Sequence, residues 1–284
     1  MGMAGIAAVV VIYQPQDSLL NNVLTYAGEV QTLYVFDNSP GLSGSVVERV
    51  RKLQNAQYLT EGRNVGVAAA LNLAARRAIE EGHEFLLTMD QDSFCYPDMV
   101  SLLVSKARET RSAGLVSPFL IDRNAPVDPP EKESELVTTA ISSGSVMNLE
   151  VFKKVGGFLD NLFIDGVDTE YCLRLQVRGF SVIRVNRALL SHAIGTLETR
   201  NLFGFIVHPT HHKPARFYYQ ARNSVYLRKH YRTQFPEYFR LERRYRMGRI
   251  VKMLLYETDR FQKAVMLLRG TIAGWRNDFS IIAI

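Results

Sequence analysis

Phe85-Leu-Leu-Thr-Met-Asp-Gln-Asp-Ser-Phe94 is the stretch on which the reading of this chain turns. Its five mostly apolar residues are too few to span a membrane, and they run straight into two acids one residue apart. That is the pattern of a buried strand ending in a polar loop. Asp90 and Asp92 therefore stand at a strand's carboxyl end. In open α/β sheets this edge is where ligands bind, and paired carboxylates there suit a hard divalent cation that keeps positions open for phosphate oxygens. Taken alone, Asp-X-Asp is more often a turn with two solvated acids, so the flanking sequence must decide.

Upstream, the pattern repeats. Ile6 to Tyr13 is continuous, β-branched and apolar, as expected of a strand covered on both faces of a parallel sheet. Ser18 to Ala27 reads as a crossover helix, and Thr32 to Phe36 as a second strand ending in Asp37-Asn-Ser-Pro-Gly41. Val46 to Gln54 is a helix and Ala56 to Leu59 a short strand. Glu61-Gly-Arg-Asn-Val-Gly66 then leads into an Ala-rich helix, Val67 to Glu81. Right-handed crossovers bring the strand ends at Tyr13, Asp37 and Asp90 to one sheet edge, which makes a nucleotide crevice by geometry. The 62–66 loop offers backbone amides and Arg63 at a helix start, a natural place for phosphate or ribose oxygens. It is neither a Walker loop nor a Gly-X-Gly-X-X-Gly loop, so kinase, ATPase and dehydrogenase readings lose their main support.

Downstream, Pro97 to Arg111 reads as a helix with Leu102, Leu103 and Val104 inward, and Gly114 to Leu120 as a strand. Asp122 to Glu135 is charged, contains proline and lacks apolar periodicity, which predicts an exposed loop that could serve as a lid. Thr138 to Met147 is small and polar, Val151 to Val155 a short helix, and Gly156-Gly-Phe158 a turn. A second acidic group follows: Asp165, Asp168 and Glu170, ahead of an amphipathic helix expected at Tyr171 to Arg178. Acids in a first helical turn favour the macrodipole, so capping accounts for some of them. Three exceed what capping needs, which makes Asp168 the candidate general base for an acceptor hydroxyl. The alternation as a whole argues an α/β fold, a doubly wound, mostly parallel sheet flanked by helices with a C-terminal helical segment.

The 284 residues are 47% apolar and carry a net charge of +6. That total hides an asymmetry. From Arg200 onward there are 17 Lys/Arg against 5 Asp/Glu, or +12, which leaves 17 against 23, or −6, for the first 199 residues. Cys95 and Cys172 lack metal-ligand spacing and read as buried thiols in a reducing compartment. The apolar run at Ile6 has no basic leader or cleavage site, and no window reaches the length of a spanning helix. The expected location is the cytoplasm.

With these residues in place, the chain resembles inverting glycosyltransferases of family 2, which have the GT-A fold. The likeness covers about Ala4 to Arg228. Its ordered motifs are the strand to Tyr13, Asp37-Asn-Ser, Gly62-Arg-Asn-Val-Gly66 with Asn72, Asp90-Gln-Asp-Ser93, Ser142-Ser-Gly144, Gly156-Gly-Phe-Leu-Asp160 and Asp165 to Arg174. Bacterial rhamnosyltransferases share the Asp-Gln-Asp-Ser form and the pattern His212-Lys-Pro-Ala-Arg-Phe-Tyr-Tyr-Gln-Ala-Arg-Asn223, which points to dTDP-L-rhamnose as donor.

The resemblance implies that Tyr13 and Asp37 contact the nucleobase and Arg63 the nucleotide, with Gln91 in the donor motif. Asp90 would meet the ribose or the metal, and Asp92 would hold Mg²⁺ or Mn²⁺ at the diphosphate. Asp168 matches the aspartate of the family's Glu-Asp pair, its catalytic base. The preceding Glu is Val167 here, which leaves Asp165 as the alternative base. His192 resembles the family's histidine after the last core strand, a third metal ligand or a structural residue. Arg216 and Arg222 lie six apart on an expected helix, off a single stripe, with one of them in reach of the diphosphate. His208, His211 and His212 lack the Cys or acidic partners a zinc site needs.

The predicted division is a catalytic domain over 1–205 and a basic helical segment over 206–284. The latter's basic amphipathic helix suits docking on the cytoplasmic face of a membrane that presents a lipid-linked glycan acceptor. A solvated face or a homo-oligomer contact weighs about equally. Two readings compete with rhamnosyl transfer: another donor such as UDP-glucose or UDP-galactose, and a non-catalytic module that binds membrane or nucleic acid. The second lacks a nucleic-acid-binding signature and leaves the strand-end acids unexplained.

Overall fold

The structure, a computed structural model, describes residues 3–41, 44–122, 127–192, 200–202, 205–207 and 213–282. The chain forms two compact units: Met1–Asp160 with Asp168–Ala193, and Asn161–Val167 with Ile194–Ile284. The predicted division at 205/206 falls within the second of these.

In the first unit the chain runs β1 (Met3–Ile12), α1 (Leu19–Leu24), β2 (Val30–Asp37), α2 (Ser45–Arg51), β3 (Ala56–Thr60), α3 (Gly66–Glu80) and β4 (Phe85–Asp90). It continues with β5 (Phe94–Cys95), α4 (Met99–Glu109), β6 (Ala113–Asp122), β7 (Ser134–Leu136), β8 (Ser145–Asn148), α5 (Leu149–Val155), α6 (Val167–Val177) and β9 (Ser181–His192). The strand order is β3-β2-β1-β4-β8-β6-β9-β5, with β7 on β9. Strands β3, β2, β1 and β4 are parallel; the Val, Ile, Leu and Ala side chains of β2, β1 and β4 are mostly buried on both faces, whereas those of the edge strand β3 are only partly so.

The far half of the sheet is mixed. β8 lies antiparallel between β4 and β6, β6 and β9 are parallel, and β5 and β7 are antiparallel to β9. The expected alternation stops at α4, because β8 is a four-residue strand that leads directly into α5 without a crossover of its own. At that junction Asn148 caps α5, its Oδ1 accepting the amides of Glu150 and Val151.

Helix α6 begins at Val167, four residues ahead of the expected Tyr171, so Asp168 and Glu170 lie within its first turn. The helix is not amphipathic as expected. Tyr171, Cys172, Leu173 and Leu175 bury several sides of it, and the sequence gives no single apolar stripe.

The second unit contains the strand pair β10 (Arg200–Leu202) and β11 (Phe205–Val207) and three helices: α7 (Pro214–Tyr231), α8 (Pro236–Tyr256) and α9 (Arg260–Arg276). Proline opens α7 and α8 at the first helical turn, where its missing N–H costs nothing. α9 presses against α7 through Gly270 and Gly274. A Cβ at these positions would lie 2.2 Å from the Tyr218 carbonyl oxygen and 2.6 Å from that of Arg222. A small core of Phe163, Tyr218, Tyr219 and Ala273 completes the packing. Among the described residues, no helix is long and apolar enough to cross a membrane.

Candidate active site

Parallel register brings the strand ends level. Ile12 pairs with Asp37, Asp37 with Thr60, and Val11 with Asp90, so the residues that follow all emerge at one edge. Each end is then fixed by side chains that leave the sheet with it.

Asp37 is 1% exposed, with Oδ1 accepting the Ser39 amide at 2.9 Å and Oδ2 the Tyr58 hydroxyl at 2.9 Å. The Ser39 hydroxyl in turn accepts the amide of Gln14, whose φ is +45°. Asn38 Oδ1 accepts the Val65 amide at 2.8 Å, which ties the second strand end to the loop carrying Arg63. Arg63 itself is exposed. These partners of Asp37 were not apparent from sequence. Tyr58 sits in a strand with no special pattern, and only the Asp37-Asn-Ser motif hinted at a built turn.

Gln91 locks the first strand end to the fourth. Its Oε1 accepts the Tyr13 amide at 2.8 Å and its Nε2 donates to the Tyr13 carbonyl at 3.2 Å. The side chain that sequence assigns to donor contact is thus committed to positioning Tyr13. The Asp90 amide donates to Ser143 Oγ at 3.1 Å, and Ser143 and Ser93 share a 2.7 Å hydroxyl contact, both side chains buried. The small polar run 142–145 therefore braces the Asp90–Ser93 turn from below. Gly144, at φ +74° and in contact with Leu190 and Pro118, leaves no room for a side chain.

Asp90 is half-buried and Asp92 exposed at this edge. Among the described residues no three His, Cys, Asp or Glu side chains converge into a complete metal cage. Two carboxylates are nevertheless the kind of donor Mg²⁺ or Mn²⁺ takes when substrate oxygens fill the rest of its shell. His192 ends β9, its backbone in register with Asp122. Its side chain lies outside the described residues, as do His208, His211 and His212.

The second acidic group divides by environment. Glu170, 1% exposed, receives Arg174 Nε and Nη2 at 2.9 Å each. The same guanidinium donates to the carbonyls of Val155, Gly156 and Gly157. Glu170 is structural: it neutralises an arginine that holds the glycine turn. Gly157 is required there because a Cβ would lie 2.4 Å from Asn72 Oδ1. Asn72 bonds both the amide and the carbonyl of Phe158, and also Asp160.

Asp168 lies on the wall of a cleft of about 480 Å³ formed with Phe119, Leu120, Thr139, Ile141 and Arg184. Its Oδ1 accepts the Thr169 amide at 2.7 Å.

In the second unit, Asp165 stands at φ +60° and accepts Arg216 through both oxygens, with Nε to Oδ2 at 3.0 Å and Nη2 to Oδ1 at 3.1 Å. Arg222 requires a correction, because the structure makes it a core residue and not a diphosphate ligand. It is 0% exposed, donates to the carbonyls of Asn161, Leu162 and Ser280, and lies over the rings of Tyr219 and Phe279. Burial, the largest effect, holds its guanidinium below the ordinary arginine range, and the neighbouring tyrosines oppose that. Asn223 beside it donates to the carbonyls of Leu162, Ile164 and Asp165, so the two residues together fix the strained 161–165 loop. Tyr218 and Tyr219 are packing residues, both buried.

The family model described as "Glycosyl transferase family 2" matches residues 11–156. The dTDP-rhamnosyl transferase RfbF of Shigella flexneri is 32% identical over 241 residues, which is 79% of this chain and 80% of that protein. Among solved structures, GalNAc-T7 with UDP, GalNAc and Mn²⁺ superposes with a TM-score of 0.61 at 13% identity over 82% of this chain. This chain spans about half of that one, 49%. TarS 1–349 of S. aureus superposes with a TM-score of 0.54 at 13% identity, over 96% of this chain and 72% of that one. At such identities the structural likeness speaks for the fold alone, and that fold is GT-A with added C-terminal helices. The family match over the sheet and the RfbF match over most of the chain agree with the motif order, and the chain is a glycosyltransferase that belongs to family 2.

Proposed function

We propose that this enzyme is an inverting, divalent-metal-dependent rhamnosyltransferase. It would pass L-rhamnose from dTDP-L-rhamnose to a hydroxyl of a lipid-linked cell-surface glycan, at the cytoplasmic face of the membrane. The observation that carries the donor is the 32% identity to a dTDP-rhamnosyl transferase over 79% of this chain. Tyr13 and Asp37 receive the nucleobase, Arg63 the nucleotide, and Asp90 and Asp92 hold Mg²⁺ or Mn²⁺. Once bound, the metal supplies positive charge for the departing diphosphate. Asp168 accepts the proton of the acceptor hydroxyl, with the acceptor seated in the 480 Å³ cleft beside it. The new C–O bond forms on the face opposite the C–O bond that breaks, so configuration inverts without a covalent intermediate.

Calorimetric titration of dTDP, UDP, GDP and dTDP-L-rhamnose, each with and without Mg²⁺ or Mn²⁺, tests this reading. Metal-dependent binding that favours the dTDP compounds is expected. A preference for UDP would retain the glycosyltransferase and sink the rhamnose assignment.

A further inference from the structure

The helical unit contains a groove of its own. α8 runs antiparallel to α7, as shown by Arg249 on Gln220, Arg246 on Ser224 and Arg228 on the Phe239 carbonyl. α9 runs parallel to α7, with Gly270 against Tyr218, Gly274 against Arg222 and Lys229 Nζ on the Trp275 carbonyl at 3.0 Å. Between α8 and α9, over α7, lies a cavity of about 520 Å³, within the size range of small-molecule sites.

Its lining is graded. Arg228, Lys229 and Arg232 gather at one end, while Ala221, Ile250 and Leu267 line the other. Arg246 adds a fourth cation midway; it is paired with Glu242 at 3.6 Å, and the residues that line the groove itself include no acid. Arg228 Nε is buried without a hydrogen-bond partner. Burial, followed by the nearby charge of Arg246, holds Arg228 below the ordinary arginine range, against the pull of Glu242. Four cations at the groove share that one carboxylate, and the excess positive charge favours a further anion.

A second observation points to the anion's other half. On α9, Phe261, Val265, Leu268, Ile272 and Trp275 recur at spacings of four and three, forming one stripe whose exposure ranges from 38% at Val265 to 79% at Phe261. Exposed apolar residues at this period require a partner surface. α8 and α9 carry ten Lys/Arg against four acids, counting from Pro236 to Arg276, so a second copy of this basic face would meet it with like charge. An anionic bilayer complements both the charge and the apolar stripe.

We propose that this groove seats one anionic phospholipid, with its phosphate at Arg228, Lys229 and Arg232 and its chain along Ile250 and Leu267. The stripe of α9 then lies against the surrounding bilayer. This inference concerns the helical unit and is independent of the donor assignment, since its test reads binding and not transfer.

Trp275 borders the groove and is the chain's one tryptophan, so emission excited selectively in tryptophan reports this site alone. The full chain is titrated with vesicles of phosphatidylcholine, alone or with phosphatidylglycerol, with vesicles carrying brominated acyl chains, and with inorganic phosphate. Phosphatidylglycerol vesicles are expected to shift Trp275 emission to the blue with saturation, and brominated chains to quench it. Arg232→Glu should weaken the response about tenfold or more, because it removes one basic residue and adds an acid at the surface. Leu268→Asp should weaken it through the stripe. Both positions are exposed, so neither change disturbs the core. An equal response to pure phosphatidylcholine, no response to phosphatidylglycerol, or the same shift from millimolar phosphate alone would overturn the proposal. So would an emission change that tracks protein concentration without lipid, which would assign the stripe to self-association.

Discussion

Replacing Glu170 with Gln separates a structural acid from a catalytic one. The carboxylate is 1% exposed and neutralises Arg174, which is 15% exposed and is also held by three backbone carbonyls. Removing one partner of a buried ion pair typically costs about 3–5 kcal/mol, because the other charge stays buried without compensation. Here the carbonyls of Val155, Gly156 and Gly157 retain part of the solvation, and Gln keeps one acceptor oxygen. The expected loss is therefore about 2–3 kcal/mol, below the usual range. With a urea dependence of about 2–3 kcal/mol per molar, the unfolding midpoint of the sheet unit should fall by about 1 M. The assay is urea unfolding followed by far-UV circular dichroism, paired with nucleotide binding well below the midpoint. Binding should persist, since Glu170 acts on the glycine turn through Arg174. A midpoint change under about 0.3 M would refute the clamp, as would intact stability with lost binding.

Asp168→Asn should lower transfer by about 10²–10⁴-fold with an unchanged urea midpoint, read from initial rates with donor and acceptor saturating. The His83 imidazole is held below its ordinary value of 6.5, mainly by burial and against the pull of Glu81. The unfolded chain thus takes up a proton first as pH falls. The stability present above pH 6.5 should be lost progressively through the lower folded value, and His83→Gln should flatten that loss in urea midpoints measured between pH 7.5 and 5. Burial pushes the Cys95 and Cys172 thiols up to about 12. Neither should react with Ellman's reagent at pH 8 in the folded protein, and both should react at once in guanidinium; fast labelling of the native chain would contradict their burial.

Much of the sheet was legible because parallel strands covered on both faces leave a simple record: continuous apolar runs that stop at polar residues. Ile6 to Tyr13, Thr32 to Phe36 and Phe85 to Met89 each carry it, and each falls on a strand of the parallel half, the first running one residue past its end at Ile12. The mixed half left a weaker record. β8 is only four residues long, and its place between β4 and β6 depends on pairings distant in sequence. The roles of individual polar residues were the least legible. Gln91 lies inside a donor motif, yet its amide satisfies the backbone of a residue 78 positions away. Arg222 carries a charge that suggests phosphate, but the carbonyls and rings enclosing it come from the 161–162 turn and the 279–280 segment. No local pattern foretells such contacts.

The three acids near α6 show why charge alone is a poor guide to chemistry. Asp165, Asp168 and Glu170 span six residues, and sequence offers each the same two explanations, capping or catalysis. Both oxygens of Asp165 are taken by Arg216, and its left-handed backbone is supported from outside by Asn223, so its geometry serves the loop. The oxygens of Glu170 are taken by Arg174. Each of these carboxylates has a guanidinium placed to complement its anionic form, and a proton arriving there would break that pairing. A general base needs an oxygen in reach of a substrate proton. Asp168, whose Oδ1 accepts the amide of Thr169, lines the 480 Å³ cleft, which is why the proposed role of base is tested there first. Val167, next to Asp168 in sequence, is buried at the start of α6.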